Sequence, residues 1–373
     1  MYILFARGTA KPRFCIPKLL FYYLVTLKSP QLFGITVSYT LPTWAYACGF
    51  PAATGNIKTV PADFIVEEIL PFQPEGHGEH VFLHIQKTGE NTEYVARALA
   101  RIAGVRQRDI GFAGLKDRHA ITTQWFSVWL PGKAAPDWST LETQNIKVLQ
   151  TLRHPRKLKR GVLTGNQFTL LIRNFAGDRD KTQAQLETIK AQGFPNYFGE
   201  QRFGQQGQNL NTAQALFQGL KMKPEQRSLY LSAARSFLFN VILSKRVALQ
   251  NWNQAIQGDV CMINHSQSYF KTDTLEAVLQ QRINQGDIHP TACLYGKGDN
   301  AAQAEALAIE QAVFAAYPEL TEGLLKFGLE MDRRALRCYP ENLSWEFLEP
   351  EQLKLQFFLT TGSYATVLLR ELL

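Results

Sequence analysis

The chain has 373 residues, 45% apolar and 12% aromatic, with 40 Lys+Arg against 32 Asp+Glu and a net charge of +8. That length calls for two or three domains with sizeable cores, and the composition excludes a disordered or fibrous chain. Five scattered cysteines (Cys15, Cys48, Cys261, Cys293, Cys338) without a CxxC pair argue against a disulfide framework or zinc module and fit a reducing cytoplasm.

The charge is unevenly spread. Residues 1–40 hold five basic and no acidic side chains, residues 41–192 hold 19 against 14, residues 193–336 balance at 13 each, and residues 337–373 carry 3 against 5. A basic excess makes polyanions, nucleic acid above all, natural partners, and here it lies in the first half of the chain.

Residues 1–40 read as an atypical N-terminal extension. An apolar run of nine, LLFYYLVTL (19–27), follows Arg7, Lys11, Arg13 and Lys18 in signal-peptide order. Pro17 and Lys28 bracket it, no small-residue cleavage site follows, and nine residues are too few to span a bilayer. The expectation is a dispensable extension or a start codon placed too far upstream.

From Ile57 the texture is α/β. Alternation predicts strands at 81–87, 125–130, 146–153 and 167–175. A helix capped by Asn91 or Thr92 runs through Ala103 with Val95, Leu99 and Ile102 on one face, and a polar helix spans about 180–192. The regular rhythm of a doubly wound sheet is missing, so the expected fold is α+β, a mainly antiparallel sheet flanked by helices. A Gly/Gln/Phe/Asn-rich junction at 193–207 precedes helices at 211–221, 231–250 and 301–316. Strand texture returns at 353–359, and Gly362-Ser363 opens a final helix. A neutral helical block between two α/β pieces suggests an inserted, mostly helical α/β domain at 193–336. The parts on either side, 41–192 and 337–373, would form one catalytic domain.

The densest chemical signal is GFAGLKDRHAITTQWF (111–126), where Lys116, Asp117, Arg118 and His119 crowd a turn. A carboxylate between Lys and Arg stays ionised, as a nucleophile or base requires, although a charged tetrapeptide is by itself often only a solvated turn. Next come Arg153, Arg156, Lys157, Lys159 and Arg160, inside a stretch between Glu142 and Asp178 with seven basic residues and no acid. Without interleaved acids this patch suits a phosphate backbone. Asn166 and Phe168 follow it, an amide able to read a base edge and a ring able to stack on a base. PNYFGEQRFG (195–204), with Arg202, is either an RNA-stacking loop or a packed junction. His77, His80 and His84 have metal-like spacing, but on a strand offsets of three and four diverge, and no Walker loop or GxGxxG follows a strand.

Taken in order, GFAGLKDRHAITTQWF (111–126), RHPRKLKRGVLTGNQFTLLIR (153–173), PNYFGEQRFG (195–204), LSAARSFLFN (231–240), YPENLSW (339–345) and GSYATVLLREL (362–372) resemble the TruD family of tRNA pseudouridine synthases, as does Lys58 followed by PADF (61–64). The resemblance covers about 41–373. It implies the pseudouridine synthase catalytic fold with the family's insertion domain, and isomerisation of a tRNA uridine, uridine-13, to pseudouridine. It implies Asp117 as the catalytic carboxylate with Lys58 as its cationic partner. Phe168, Asn166 and Tyr364 would contact the flipped uracil, and Arg153, Arg156, Lys157, Lys159, Arg160 and Arg202 the RNA. Tyr364 departs from the Phe that family members frequently place there. The resemblance implies tRNA as the partner, no protein partner and no metal or organic cofactor; no membrane association and a cytoplasmic monomer are expected. Two rivals remain at this stage: an RNA-binding module without catalysis, and a glycosidase that uses Asp117 without rejoining the base.

Overall fold

The strands and helices follow from where apolar residues recur. Strand β3 (His80–Thr88) places Val81, Leu83 and Ile85 on one face, essentially without exposure, beneath helix α1 (Thr92–Ile102), whose Val95, Ala96 and Leu99 are equally buried. Each such aliphatic side chain contributes about 1.5–3 kcal/mol by leaving water. The computed structural model describes residues 39–272 and 276–373, and residues 40–373 form one compact unit. The apolar run at 19–27 and the basic residues of the extension lie outside the described residues.

In chain order, β1 (Ala53–Asn56) and β2 (Phe64–Ile69) precede β3 and α1, followed by β4 (Ile110–Phe112), β5 (Ile121–Trp129), β6 (Ile146–His154), β7 (Gly165–Gly177) and α2 (Arg179–Gln192). Then come β8 (Phe194–Pro195), α3 (Gln208–Phe217), α4 (Pro224–Ala248), β9 (Val260–Ile263), β10 (Tyr269–Lys271) and α5 (Ala277–Asn284). After these stand β11 (Ile288–Leu294), α6 (Ala304–Ala316), α7 (Pro318–Lys326), β12 (Asp332–Ala335) and β13 (Arg337–Cys338). The chain closes with β14 (Glu341–Leu348), β15 (Gln352–Thr360) and α8 (Ala365–Arg370).

A nine-stranded sheet runs β14-β15-β7-β2-β5-β3-β6, with β1 added to β7 and β4 to β5. Every pairing in it is antiparallel except β2 with β5. The fold is thus α+β with a mainly antiparallel sheet, as expected. A separate four-stranded sheet, β10-β9-β11-β12, was missed by periodicity because its strands are short and flanked by stronger helical patterns. Strands β8 and β13 pair with each other, Phe194 opposite Cys338, where the chain leaves and rejoins the large sheet. No helix of the described residues is long and apolar enough to cross a membrane.

The one parallel pair positions the site. Strands β2 and β5 begin side by side, Ile65 opposite Ile121, so the loops that enter them emerge at the same edge of the sheet. The loop entering β2 carries Lys58 and the loop entering β5 carries Asp117. Register also builds a row of side chains across five strands: Lys87 opposite Thr122, Thr122 opposite Val66, Val66 opposite Phe168, and Phe168 opposite Phe357. Directly opposed residues share a face of the sheet.

Candidate active site

Asp117 sits in the loop between β4 and β5. The turn that the sequence suggested is preceded by the short strand β4, which pairs with β5, so the loop is anchored at both ends. Its backbone is gripped from two elements. Thr92, the first residue of α1, accepts a hydrogen bond from the Lys116 N–H at 3.0 Å and donates to Gln124 of β5 at 2.8 Å. Gln124 in turn donates to the Gly114 carbonyl at 3.2 Å. Thr92 and Gln124 are both buried, where a lost partner would leave a polar group desolvated at about 1–3 kcal/mol.

The carboxylate itself accepts from the His119 N–H at 2.9 Å, closing an Asx turn, and forms a salt bridge with the Lys58 ammonium. Burial pushes the Asp117 carboxyl up, but the hydrogen bond and charge of Lys58, with the His119 N–H, outweigh it and hold the group below the usual carboxylate range. The side chains remain 34% and 22% exposed, so the pair is open to a substrate.

Lys58 reaches Asp117 from a left-handed backbone, φ 59°, a conformation that costs a non-glycine residue about 1–3 kcal/mol and persists only when its surroundings enforce it. The enforcement comes from Asp63, which accepts from the Val60 N–H at 3.0 Å and is clamped at 2.8–2.9 Å by Arg173 of β7. The Lys58 ammonium also lies 4.2 Å from the centre of the Phe64 ring, a cation–π contact.

Phe64 packs edge-on against Phe168 with ring centres 6.1 Å apart, and Phe168 stacks on Phe357 at 5.4 Å. Phe168 is therefore largely buried in an aromatic layer that reaches the Lys58–Asp117 pair through Phe64. Asn166 lies opposite Glu68 in the β7–β2 register, and Lys116 joins them: its ammonium is 2.9 Å from Glu68 and donates to Asn166 Oδ1 at 2.6 Å. An ammonium only donates, so it fixes the Asn166 oxygen inward and turns the amide NH2 away from itself. Glu68 is fully buried, and burial raises its carboxyl pKa although Lys116 and the Trp125 N–H oppose the rise.

Tyr364 and Arg202 meet across 162 residues of chain, the guanidinium donating to the tyrosine hydroxyl at 2.8 Å and to Ser232 at 3.1 Å. Their neighbour Arg334 lies 4.1 Å from the centre of the Phe198 ring and donates to Asn196 at 2.6 Å and to the Gly362 carbonyl at 2.9 Å. Asn196 and Arg334 also line a cleft of about 1100 Å³, together with Thr164, Thr361, Ser363, His265 and Tyr339, whereas Lys58, Asp117, Asn166, Phe168, Arg202 and Tyr364 do not line it.

The basic run divides in two. The Arg153 guanidinium donates to three carbonyls, those of Gly78, Leu130 and Lys133, and so ties loops together rather than facing outward. Arg156, Lys157, Lys159 and Arg160 are exposed. Arg108, Lys157, Lys159 and Arg160 line a pocket of about 620 Å³, with Arg160 stacked 3.7 Å from the centre of the Phe112 ring and Lys157 donating to the Arg108 carbonyl.

Of the histidines with metal-like spacing, His84 stacks on Trp125 at 4.5 Å and His80 lies opposite His154 in the β3–β6 register. Among the described residues no group of three or more His, Cys, Asp or Glu is placed to hold a metal ion.

Two charged residues at the site escaped the sequence reading. Lys87 and Glu68 both fall on the buried parity of their strands, after Val81, Leu83 and Ile85 in one and after Phe64 and Val66 in the other. A charge at a core position of a strand is a legible signal, because burying it without a specific partner costs several kcal/mol.

The sequence profile of the family described as tRNA pseudouridine synthase D (TruD) matches residues 41–219 and 209–372. The tRNA pseudouridine synthase D of Methylococcus capsulatus is 50% identical over 328 residues, 87% of this chain and 93% of that protein. Its counterpart from Aeromonas salmonicida is 49% identical over 330 residues, covering 88% and 93%. Among solved structures, the putative tRNA pseudouridine synthase D (TruD) of Methanosarcina mazei superposes with a TM-score of 0.66 at 23% identity, over 88% of this chain and 95% of that one, a likeness of fold.

Proposed function

Because the chain belongs to the TruD family, and is thus a tRNA pseudouridine synthase of the isomerase class, we propose that it converts uridine-13 of tRNA to pseudouridine, with Asp117 as the carboxylate acting at the ribose. The observation that carries this reading is the salt bridge between Lys58 and Asp117 at the shared edge of β2 and β5.

The reaction breaks the N1–C1′ bond, turns the uracil, joins C5 to C1′, and moves the C5 proton off carbon while N1 gains one. The net change is an isomerisation, so no oxidant or group donor is needed. Two routes use a carboxylate: attack on C1′, or removal of the 2′ proton. Both require it ionised, the state that Lys58 and the His119 N–H favour for Asp117 against the opposing effect of burial. The target base must leave its stack to reach a site at a sheet edge. The edge of Phe168 would pack against the extruded uracil, backed by Phe64 and Phe357, and the Asn166 NH2 would donate to one of its carbonyls. Tyr364, its hydroxyl held by Arg202, would be a further contact of the base.

We read 41–192 and 337–373 as the catalytic domain and 193–336 as the inserted one. The insertion of β14 and β15 beside β7, and the β8–β13 pair at the two crossings, support that division. The exposed Arg156, Lys157, Lys159 and Arg160 would follow the tRNA backbone. The experiment is carbodiimide mapping of pseudouridine in tRNA after incubation with the enzyme. A new stop at position 13, absent with Asp117→Asn, is the expected result; a stop elsewhere would overturn the position, and none at all would overturn the activity.

A further inference from the structure

Lys87 is the least expected side chain of the fold. It is wholly removed from solvent, on the core face of β3, in the cross-strand row that ends at Phe168 and Phe357. Its ammonium has two partners, both main-chain carbonyls: that of Glu90 at 2.7 Å and that of Asp117 itself at 3.1 Å. Two carbonyls compensate only part of the several kcal/mol that burying a lysine charge costs, and a leucine or methionine would complete the apolar face begun by Val81, Leu83 and Ile85. Stability alone does not account for a lysine here.

Its geometry points to the reaction. Lys58 holds the Asp117 carboxylate from the open side and the His119 N–H holds it within the loop. Lys87 holds the main chain of the same residue from beneath and links it to the loop that opens α1. Resting on the reading of Asp117 as the catalytic carboxylate, we propose that Lys87 is a positioning residue for pseudouridine formation: its buried ammonium fixes the Asp117 main chain and supplies positive charge beneath the carboxylate. The charged groups facing it are Asp117 and Glu90, which favour its protonated form, and Lys116, which opposes it. Burial outweighs the two acids and pushes the Lys87 pKa down to about 8. The sign follows: as pH rises through about 8 the ammonium becomes an amine, the charge beneath Asp117 is lost, and the chemical step slows.

The test compares wild type, Lys87→Met and Lys87→Gln in single-turnover reactions on saturating tRNA across pH 6–9.5, alongside tRNA affinity and thermal stability. Misplacing a reacting group by about 1 Å costs on the order of 10²-fold in rate, so we expect a loss of that size in both variants, with tRNA affinity within about twofold of wild type. We also expect the alkaline limb near pH 8 of wild type to be absent from both. Should neither variant fold, the wild-type profile alone decides, since a rate flat through pH 8 contradicts the proposal. Variants that lose melting temperature but keep the wild-type rate and alkaline limb would assign Lys87 a structural role and overturn it. If Asp117→Asn remains active, the reading beneath the proposal falls instead; if Asp117→Asn is inactive while Lys87→Met matches wild type, only the proposal falls.

Discussion

Lys58 meets the carboxylate of Asp117 from a left-handed backbone, 59 residues away in the chain, because the parallel strands β2 and β5 bring their entry loops to one edge of the sheet. Removing the lysine should therefore change the acid more than the fold. In Lys58→Met, burial is left as the main influence on Asp117 and its pKa rises. We expect the acid limb of the rate profile to move upward in pH, measured in single-turnover reactions between pH 4 and 8. A limb that stays in place would show that Lys58 does not set the ionisation of Asp117.

The same pair bears on stability with a definite sign. A carboxyl whose pKa is lower folded than unfolded contributes stability above the unfolded value, near 3.8, and loses it as pH falls through the folded one. Urea unfolding of wild type and Lys58→Met should thus differ at pH 7, and the difference should shrink as pH falls below about 3.8. A difference that persists unchanged in acid would trace it to the contact of Lys58 with the Phe64 ring.

Glu68 and Lys116 form an ion pair buried on both sides, and the two single changes should be worse than the double. Glu68→Gln leaves an ammonium without its anion, and Lys116→Met leaves a carboxylate, each costing about 3–5 kcal/mol. The double variant Glu68→Gln/Lys116→Met should recover most of that in a urea double-mutant cycle. Additive losses would show that the pair is not coupled.

The basic run should separate by function. Arg156→Glu/Lys159→Glu, both exposed, should weaken tRNA binding and flatten its salt dependence, each lost phosphate contact lowering the slope by about 0.7–0.9. Arg153→Gln should instead lower the melting temperature with little effect on the slope, since its donors serve the carbonyls of Gly78, Leu130 and Lys133. Filter binding across a salt series distinguishes the two.

Much of this was legible in the residues. Alternation in β3, the four-residue spacing of Val95 and Leu99 in α1, and the interleaving of strands and helices without a doubly wound rhythm gave the α+β class, and the match of Lys58, Asp117 and Phe168 to a family pattern named residues that the structure links through Phe64. What stayed hidden depends on register. No local pattern reveals that β2 runs parallel to β5, that Glu68 stands opposite Asn166, or that Lys87 lies beneath the Asp117 carbonyl. Arg153 and Arg160 look alike in sequence, yet one is surrounded by carbonyls and the other stacks on Phe112 at the surface. The net charge of +8 is similarly blunt, since five of the basic residues lie in the first forty and Arg173 is spent on Asp63.

The central claim is that Asp117 drives the exchange of an N–C for a C–C glycosidic bond within tRNA. Release of tritium from tRNA labelled at uridine C5 measures that exchange most directly. We expect wild type to release tritium without free uracil, and Asp117→Asn to slow release by at least about 10³-fold while still binding tRNA. No release by wild type, or undiminished release by Asp117→Asn, would contradict the claim, and free uracil in place of tritiated water would make the enzyme a glycosidase.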